Sequence, residues 1–268
     1  MIPDKARDIL HSALRMSGET LMSHLGRTAA ATVKESISSV VTEADLASEK
    51  VILDILQSAP DSYNIITEET GYMEGGSEYT WVVDPLDGTS NFAAGLPWFG
   101  VIIALLHKEI PVLGGMYLPV YEELYMTEHG KGSWKNGEAI RVSDSAKLEE
   151  QLVAYSFDFS DTPGKTESEM AILQSLSKKV RNIRSTNSLV DFCYAADGRL
   201  GAALNQTTKI WDIAVPWLMI SEAGGKVTDI RGKEIQFDVS AGAFDRNYTI
   251  LASGAGLHKP LIKTIEHK

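Results

Sequence analysis

The sequence predicts a layered α+β fold with two sheets and a functional site between two halves. Three observations carry that expectation. Helical and strand patterns alternate toward both ends of the chain, and a run of short strands broken by turns fills the middle. The 268 residues are 44% hydrophobic and 23% charged, an ordinary globular balance that suffices for a substantial core. No internal repeat, low-complexity tract or long linker interrupts them.

Across residues 3–25, Ile9, Leu10, Ala13, Leu14 and Leu21 recur at helical spacing, and Gly26 supplies a stop. Thr42 precedes a second helix with Val51, Ile52, Ile55 and Leu56 on one side and Pro60 closing it. Thr42 to Asp45 reads as a capping box with Asp in place of the usual Glu or Gln. Residues 63–66 and 79–84 are short strands. Segments 99–106, 111–117 and 124–127, with the Gly-Lys-Gly-Ser-Trp run ending at Trp134, form an antiparallel meander joining the halves.

Beyond about Ser145 the alternation returns. Strands are expected at 152–155, 180–183 and 200–204, near Val227 and at 248–251. Helices are expected at 167–176, 189–196 and 212–223 and near the C-terminus. The division is residues 1–146, an N-terminal α+β half, and residues 147–268, a C-terminal α/β half, packed as one compact unit.

The charge of −11 and pI near 5.0 disfavour direct nucleic-acid binding through a basic surface. No stretch reaches the roughly 18 uninterrupted apolar residues of a membrane span. The start, Met1-Ile2-Pro3-Asp4-Lys5, lacks a charged-then-apolar leader, so a cytoplasmic protein without a membrane partner is expected. Cys193 stands alone, which excludes an intramolecular disulfide; within residues 190–196 it reads as a small core hydrophobe rather than a reactive thiol.

The most informative run is Trp81-Val82-Val83-Asp84-Pro85-Leu86-Asp87-Gly88-Thr89. An apolar strand ends in one carboxylate, and a proline-fixed turn delivers a second three residues later. Two carboxylates that close repel each other unless a cation lies between them, and they are the hard oxygen ligands magnesium prefers. The amides of the following Gly-Thr pair suit a phosphate group. Together they read as a magnesium-assisted phosphate site. Other acids are weaker signals singly. Glu68, in Thr67-Glu68-Glu69-Thr70, could be a solvated turn, Asp212 a helix N-cap, and Lys34 a solvated cation.

Taken together these segments resemble the inositol monophosphatase family over nearly the whole chain. The resemblance rests on Val41-Thr42-Glu43-Ala44-Asp45, Glu68-Glu69-Thr70, Asp84 through Thr89 with Asn91-Phe92, and Trp211-Asp212 followed by Glu222-Ala223-Gly224-Gly225, in matching order and intervals. It implies an αβαβα sandwich and a magnesium-dependent, lithium-sensitive phosphatase with two or three ions. Glu68, Asp84 and the Leu86 carbonyl would hold the first ion. Asp84, Asp87 and Asp212 would hold the second, and a third would lie near Glu68. Thr89, supported by Asp45 and with Glu68 in contact, would orient and help deprotonate a metal-activated water. Lys34 matches a family lysine near the metals. The phosphate would rest on the metals and the amides of Gly88 and Thr89. The substrate contacts implied are Glu68, Leu86, Asp87, Gly88, Thr89, Asn187, Ser188, Leu189, Asn205 and Asp212.

The chain departs from the family where the alcohol would bind. Asn205 stands where inositol phosphatases carry a glutamate, and Asn187-Ser188-Leu189 replaces a typical Gly-Thr-Ala, with Leu189 expected to narrow or grease the pocket. The lesser alternative is that Asn205 is a loop residue tolerated by an exposed rim. The expected substrate is therefore inositol monophosphate or a similar small polyol phosphate. Histidinol phosphate, fructose 1,6-bisphosphate and adenosine 3′,5′-bisphosphate are the alternatives. A pocket poor in carboxylates around Asn205 disfavours the aminoalcohol ester. A non-catalytic, regulatory binding protein is a further alternative, since some bacterial relatives are thought to associate with the transcription machinery. Relatives are commonly homodimers; Trp98 and Phe99 could form such an interface or fill the monomer core.

Overall fold

Apolar residues at helical spacing on α1 (Ala6–His24) and α2 (Glu43–Gln57) bury one stripe of each helix against the first of two large sheets. The computed structural model describes residues 2–26, 32–33, 40–59 and 61–266; Lys34 and Pro60 lie outside the described residues. The capping box is formed. The Thr42 hydroxyl accepts from the amide of Ala44, and Asp45 accepts from the amide of Thr42 at 2.8 Å. Strands β1 (Thr32–Val33) and β2 (Val40–Val41) pair antiparallel and, among the described residues, join neither large sheet.

The first sheet contains β3 (Asn64–Thr67), β4 (Gly71–Met73), β5 (Tyr79–Asp87), β6 (Gly100–His107), β7 (Ile110–Leu118), β8 (Glu123–Glu128), β9 (Gly132–Lys135) and β10 (Glu138–Ala139). Their order is β10-β9-β8-β7-β6-β5-β3-β4, with only β3 and β5 parallel. The meander therefore does not join two halves as a separate module; it makes up the larger part of this sheet. Residues 81–83 of β5 are apolar because both faces of the strand are covered there. Trp81 and Val83 pack toward α1 and α2, while Val82 packs toward the centre of the molecule. The one-turn helix α3 (Thr89–Ala93) follows directly.

The second sheet holds β11 (Leu152–Ser156), β12 (Asn182–Arg184), β13 (Ala202–Thr208), β14 (Gly225–Thr228) and β15 (Tyr248–Gly254), in the order β12-β11-β13-β15-β14. Helices α5 (Leu189–Ala196) and α6 (Ile210–Glu222) lie between the two sheets in one shared core, and α4 (Lys165–Ser177) and α7 (Ala255–Glu266) cover the outer face. The layers run αβαβα. Among the described residues, no helix is long and apolar enough to cross a membrane. Cys193 is buried in the central core beside Met116, and burial pushes its thiol well above the usual range. Phe99 is likewise fully buried, edge-on to Phe92, so the core uses that ring.

Two departures from the expected boundaries shape the site. Strand β5 does not stop at Asp84. It runs through Pro85 to Asp87, with a register shift in which Asp84 pairs with Ile102 and Asp87 with Gly100. Three steps on β5 thus oppose two on β6, a bulge that accommodates a proline lacking an amide hydrogen. Helix α6 begins at Ile210 rather than Asp212, so Asp212 occupies the first turn instead of the N-cap, accepting from the amide of Lys209 at 2.6 Å.

Candidate active site

In a regular strand, residues three apart point to opposite faces. The bulge in β5 supplies one extra residue, and Asp84 and Asp87 come to the same side. The first turn of α6 brings Asp212 to them, and one carboxylate oxygen from each of the three lies within 4.8 Å of the others. Each acid is aimed by a backbone amide. Leu86 donates to Asp84 at 3.0 Å, Leu189 donates to Asp87, and Lys209 donates to Asp212. Asp84 is buried; Asp87 and Asp212 are enclosed by protein atoms yet open on a cavity. Among the described residues, no lysine, arginine or histidine side chain forms an ion pair with any of them.

That arrangement is electrostatically unfavourable by itself. Burial, then the charges of Glu68, Asp87 and Asp212, push Asp84 well above the usual carboxylate range. Burial also raises Asp87, to about 7, against the opposing pull of the Leu189 amide. Asp212 is raised well above its usual range by burial and then by Asp87. Hard, crowded oxygen donors without an internal cation fit a divalent metal such as magnesium. Glu68, half-buried just after β3, stands beside the trio, and its charge acts on all three acids.

Helix α2 presents a polar edge to this centre. Asp45 accepts from the hydroxyl of Thr89 at 3.0 Å, and the same hydroxyl lies 2.9 Å from the Leu86 carbonyl. Ser48 donates to the Pro85 carbonyl at 2.6 Å. Glu49 takes the Thr67 hydroxyl at 2.7 Å and the Thr70 amide at 2.9 Å, fixing the turn that carries Glu68. Sequence reasoning passed over Ser48 and Glu49. The available signal was their spacing: three and four residues after Asp45, they share its helix face. Gly88 is required where it stands. Its φ is +84°, and an added Cβ would lie 2.5 Å from the Trp98 carbonyl. Asn91 donates to the carbonyls of Trp98 and Thr186, each at 2.8 Å, tying the loop before β6 to the approach to α5.

Beyond the acids lies a cavity of about 120 Å³, lined by Ser156, Asp158, Asn187, Ser188, Asp191 and Asn205 among others. Ser188 caps α5, accepting from Val190. Leu189 does not narrow this cavity: its amide serves Asp87 while its side chain is buried between the sheets, because it is the first residue of a helix lodged in the core. The wall is not poor in carboxylates either. Asp191 accepts from the Ser156 hydroxyl at 2.9 Å and the Thr186 amide at 3.2 Å, and burial raises it. Sequence reasoning missed Asp158 and Asp191; only Asp191, an acid inside an apolar helix, left a trace in the sequence.

The sequence profile described as the Inositol monophosphatase family matches residues 3–267. A Thermotoga maritima protein named "Fructose-1,6-bisphosphatase/inositol-1-monophosphatase" is 34% identical over 253 residues, spanning 94% of this chain and 92% of that protein. The "Nus factor SuhB" of Haemophilus influenzae is 32% identical over 256 residues, with the same coverage of 94% and 92%. Among solved structures, the extragenic suppressor protein suhB from Bartonella henselae superposes with a TM-score of 0.88 at 28% identity, covering 98% of this chain and 99% of that one.

Proposed function

The chain belongs to the inositol monophosphatase family, and from that premise we propose that it is a cytoplasmic, magnesium-dependent phosphomonoesterase acting on inositol monophosphate or a similar small polyol phosphate. One observation carries the reading: the carboxylates of Asp84, Asp87 and Asp212 converge within 4.8 Å, with no paired side-chain cation among the described residues. These three acids, with Glu68 and the Leu86 carbonyl, would hold two or three ions. When bound, magnesium neutralises phosphate charge and makes a water nucleophilic near neutral pH.

The remaining roles fall to the chain itself. Thr42 holds one oxygen of Asp45 through its amide and hydroxyl, at 2.8 and 2.6 Å, which leaves the other oxygen aimed at Thr89. The Thr89 hydroxyl can then take a proton from the attacking water while passing its own to Asp45. The amides of Gly88 and Thr89 would receive the phosphate. Asn187, Ser188 and Asn205 line the space left for the alcohol.

The test is phosphate release from inositol 1-phosphate, fructose 1,6-bisphosphate, histidinol phosphate and adenosine 3′,5′-bisphosphate, with magnesium and with a chelator. Magnesium-dependent release, fastest from inositol 1-phosphate, is expected. No release from any ester by a protein that binds magnesium calorimetrically would overturn the reading. The likeness to a protein named Nus factor SuhB favours a second reading, a regulatory binding protein. A biological role that survives Asp87→Ala after hydrolysis is gone would establish it.

A further inference from the structure

We propose that Asp158 selects the alcohol half of the substrate, accepting a hydrogen bond from a hydroxyl or ammonium group there and repelling a second phosphate. The inference rests on the phosphatase reading above and names its substrate class. Every charged side chain lining the cavity is a carboxylate: Asp87, Asp158, Asp191 and Asp212. A second phosphate would enter a wall without a cation among the described residues, whereas a donor-bearing alcohol meets acceptors.

Of the four, Asp158 is the one that stands outside the acidic centre without being buried, so it has the most accessible oxygen to offer the alcohol. Asp87 and Asp212 belong to the acidic centre, and Asp191 is buried, held at one oxygen by Ser156 and Thr186 and bonded also by the backbone of Asn187. Asp158 accepts on one oxygen from the Asn187 side chain at 2.7 Å; among the described residues its other oxygen has no donor.

The two departures from the family motif flank this residue across the cavity, Asn187 bonded to it and Asn205 on the neighbouring strand. Asn205 turns its amide oxygen to the backbone N–H of Thr207 at 2.8 Å, across a bulge in β13, and so faces the cavity as a neutral residue. Its partner on the neighbouring parallel strand is Ser156, and Asp158 lies two residues further along the same direction. Alternation puts Ser156 and Asp158 on the cavity side and leaves Phe157 and Phe159 exposed. The acceptor carboxylate is thus supplied from the continuation of β11 instead of β13, about one strand spacing (~4.8 Å) sideways and two residues (~6.6 Å) further along. Asn187 keeps the left-handed backbone suited to a glycine (φ +52°) while adding the amide that holds Asp158. It is the positioning residue.

The experiment compares the intact protein with Asp158→Asn, Asp158→Glu, Asn187→Gly and the double variant Asp158→Asn/Asn205→Glu. Substrates are inositol 1-phosphate, histidinol phosphate, fructose 1,6-bisphosphate and p-nitrophenyl phosphate, the last lacking donors on its alcohol side. Asp158→Asn should raise KM for the donor-bearing monoesters about tenfold with kcat within about twofold. It should lower KM for the bisphosphate and leave p-nitrophenyl phosphate unchanged. A greater loss on histidinol phosphate identifies ammonium as the preferred donor; a greater loss on inositol 1-phosphate identifies hydroxyl. Asn187→Gly should move KM the same way by about threefold, and Asp158→Glu or the double variant should restore much of the loss. Equal kcat/KM ratios among the four esters in the parent and Asp158→Asn would overturn the proposal. If the parent releases no phosphate, the phosphatase reading fails by itself. Calorimetric binding of the same esters then decides this one: weakened binding of the donor-bearing esters in Asp158→Asn supports it, and unchanged binding overturns it.

Discussion

Two acidic clusters in this molecule differ in one respect, and the difference separates support from function. In the first, Asp84, Asp87 and Asp212 crowd together with their protonation pushed upward. In the second, Asp197 and Glu123 surround Arg199, Lys135 and Tyr125, where β8 and β9 meet the turn after α5. Burial alone would raise Asp197 too. Hydrogen bonds and charge from Arg199, helped by Tyr125 and Lys135, outweigh it and hold that carboxylate below its usual range. The second cluster carries its own countercharge and is complete. The first has no such countercharge among the described residues, which is what a cation site requires.

The sharpest way to test this contrast is to remove one acid from each side. Asp84→Asn should reduce magnesium-dependent hydrolysis by on the order of a thousandfold. The same change should raise the melting temperature of the metal-free protein, because a buried like-charge repulsion is relieved. A lower melting temperature in chelator would break the comparison. Next in size, Arg199→Ala should cost about 2 kcal/mol in denaturant unfolding, since Asp197, whose side chain is only 4% exposed, loses its main countercharge and keeps only Lys135 and Tyr125. Hydrolysis per folded molecule should stay near the parent value.

The smallest expected effect is in pH. The folded-state pKa of Asp87 is raised to about 7, so below that pH the metal-free folded protein holds a proton that the unfolded chain, at about 4, does not. Metal-free stability gains from this group as pH falls from about 7 toward 4. Magnesium must displace that proton, so its affinity should weaken by up to about tenfold per unit below pH 7. Calorimetric titrations at pH 6 and 8 with equal affinity would remove Asp87 from the metal's ligands.

Much of the acidic centre was legible in sequence because its residue types are conspicuous: two acids flanking Pro85, then Gly88 and Thr89. The geometry that makes them cooperate was not. Pro85 reads as the end of a strand, yet it occupies a bulge whose existence depends on pairing with β6, far along the chain. Taken alone, Asp212 reads as a cap, and only the resemblance makes it a ligand; α6 begins two residues earlier, where Ile210 and Trp211 enter the core between the sheets. The wall was least legible. Asp158 and Asn187 are 29 positions apart and meet only because β11 and the approach to α5 converge on one cavity. Lys34 falls outside the described residues.

The β5 bulge also imposes a parity rule on the gene. The two acids are separated by an odd number of steps, yet they share a face because one residue goes uncounted in the pairing with β6. An in-frame deletion of Leu86 would set two steps against two, so Asp84 and Asp87 would still share a face by ordinary alternation. What it would remove is the bulge itself, with the amide that aims Asp84 and the carbonyl that meets Thr89. An in-frame insertion would set four steps against two and push Asp87 out of register with Gly100. Point substitutions can alter this site gradually, but a change in chain length at 85–86 rebuilds the turn that carries it.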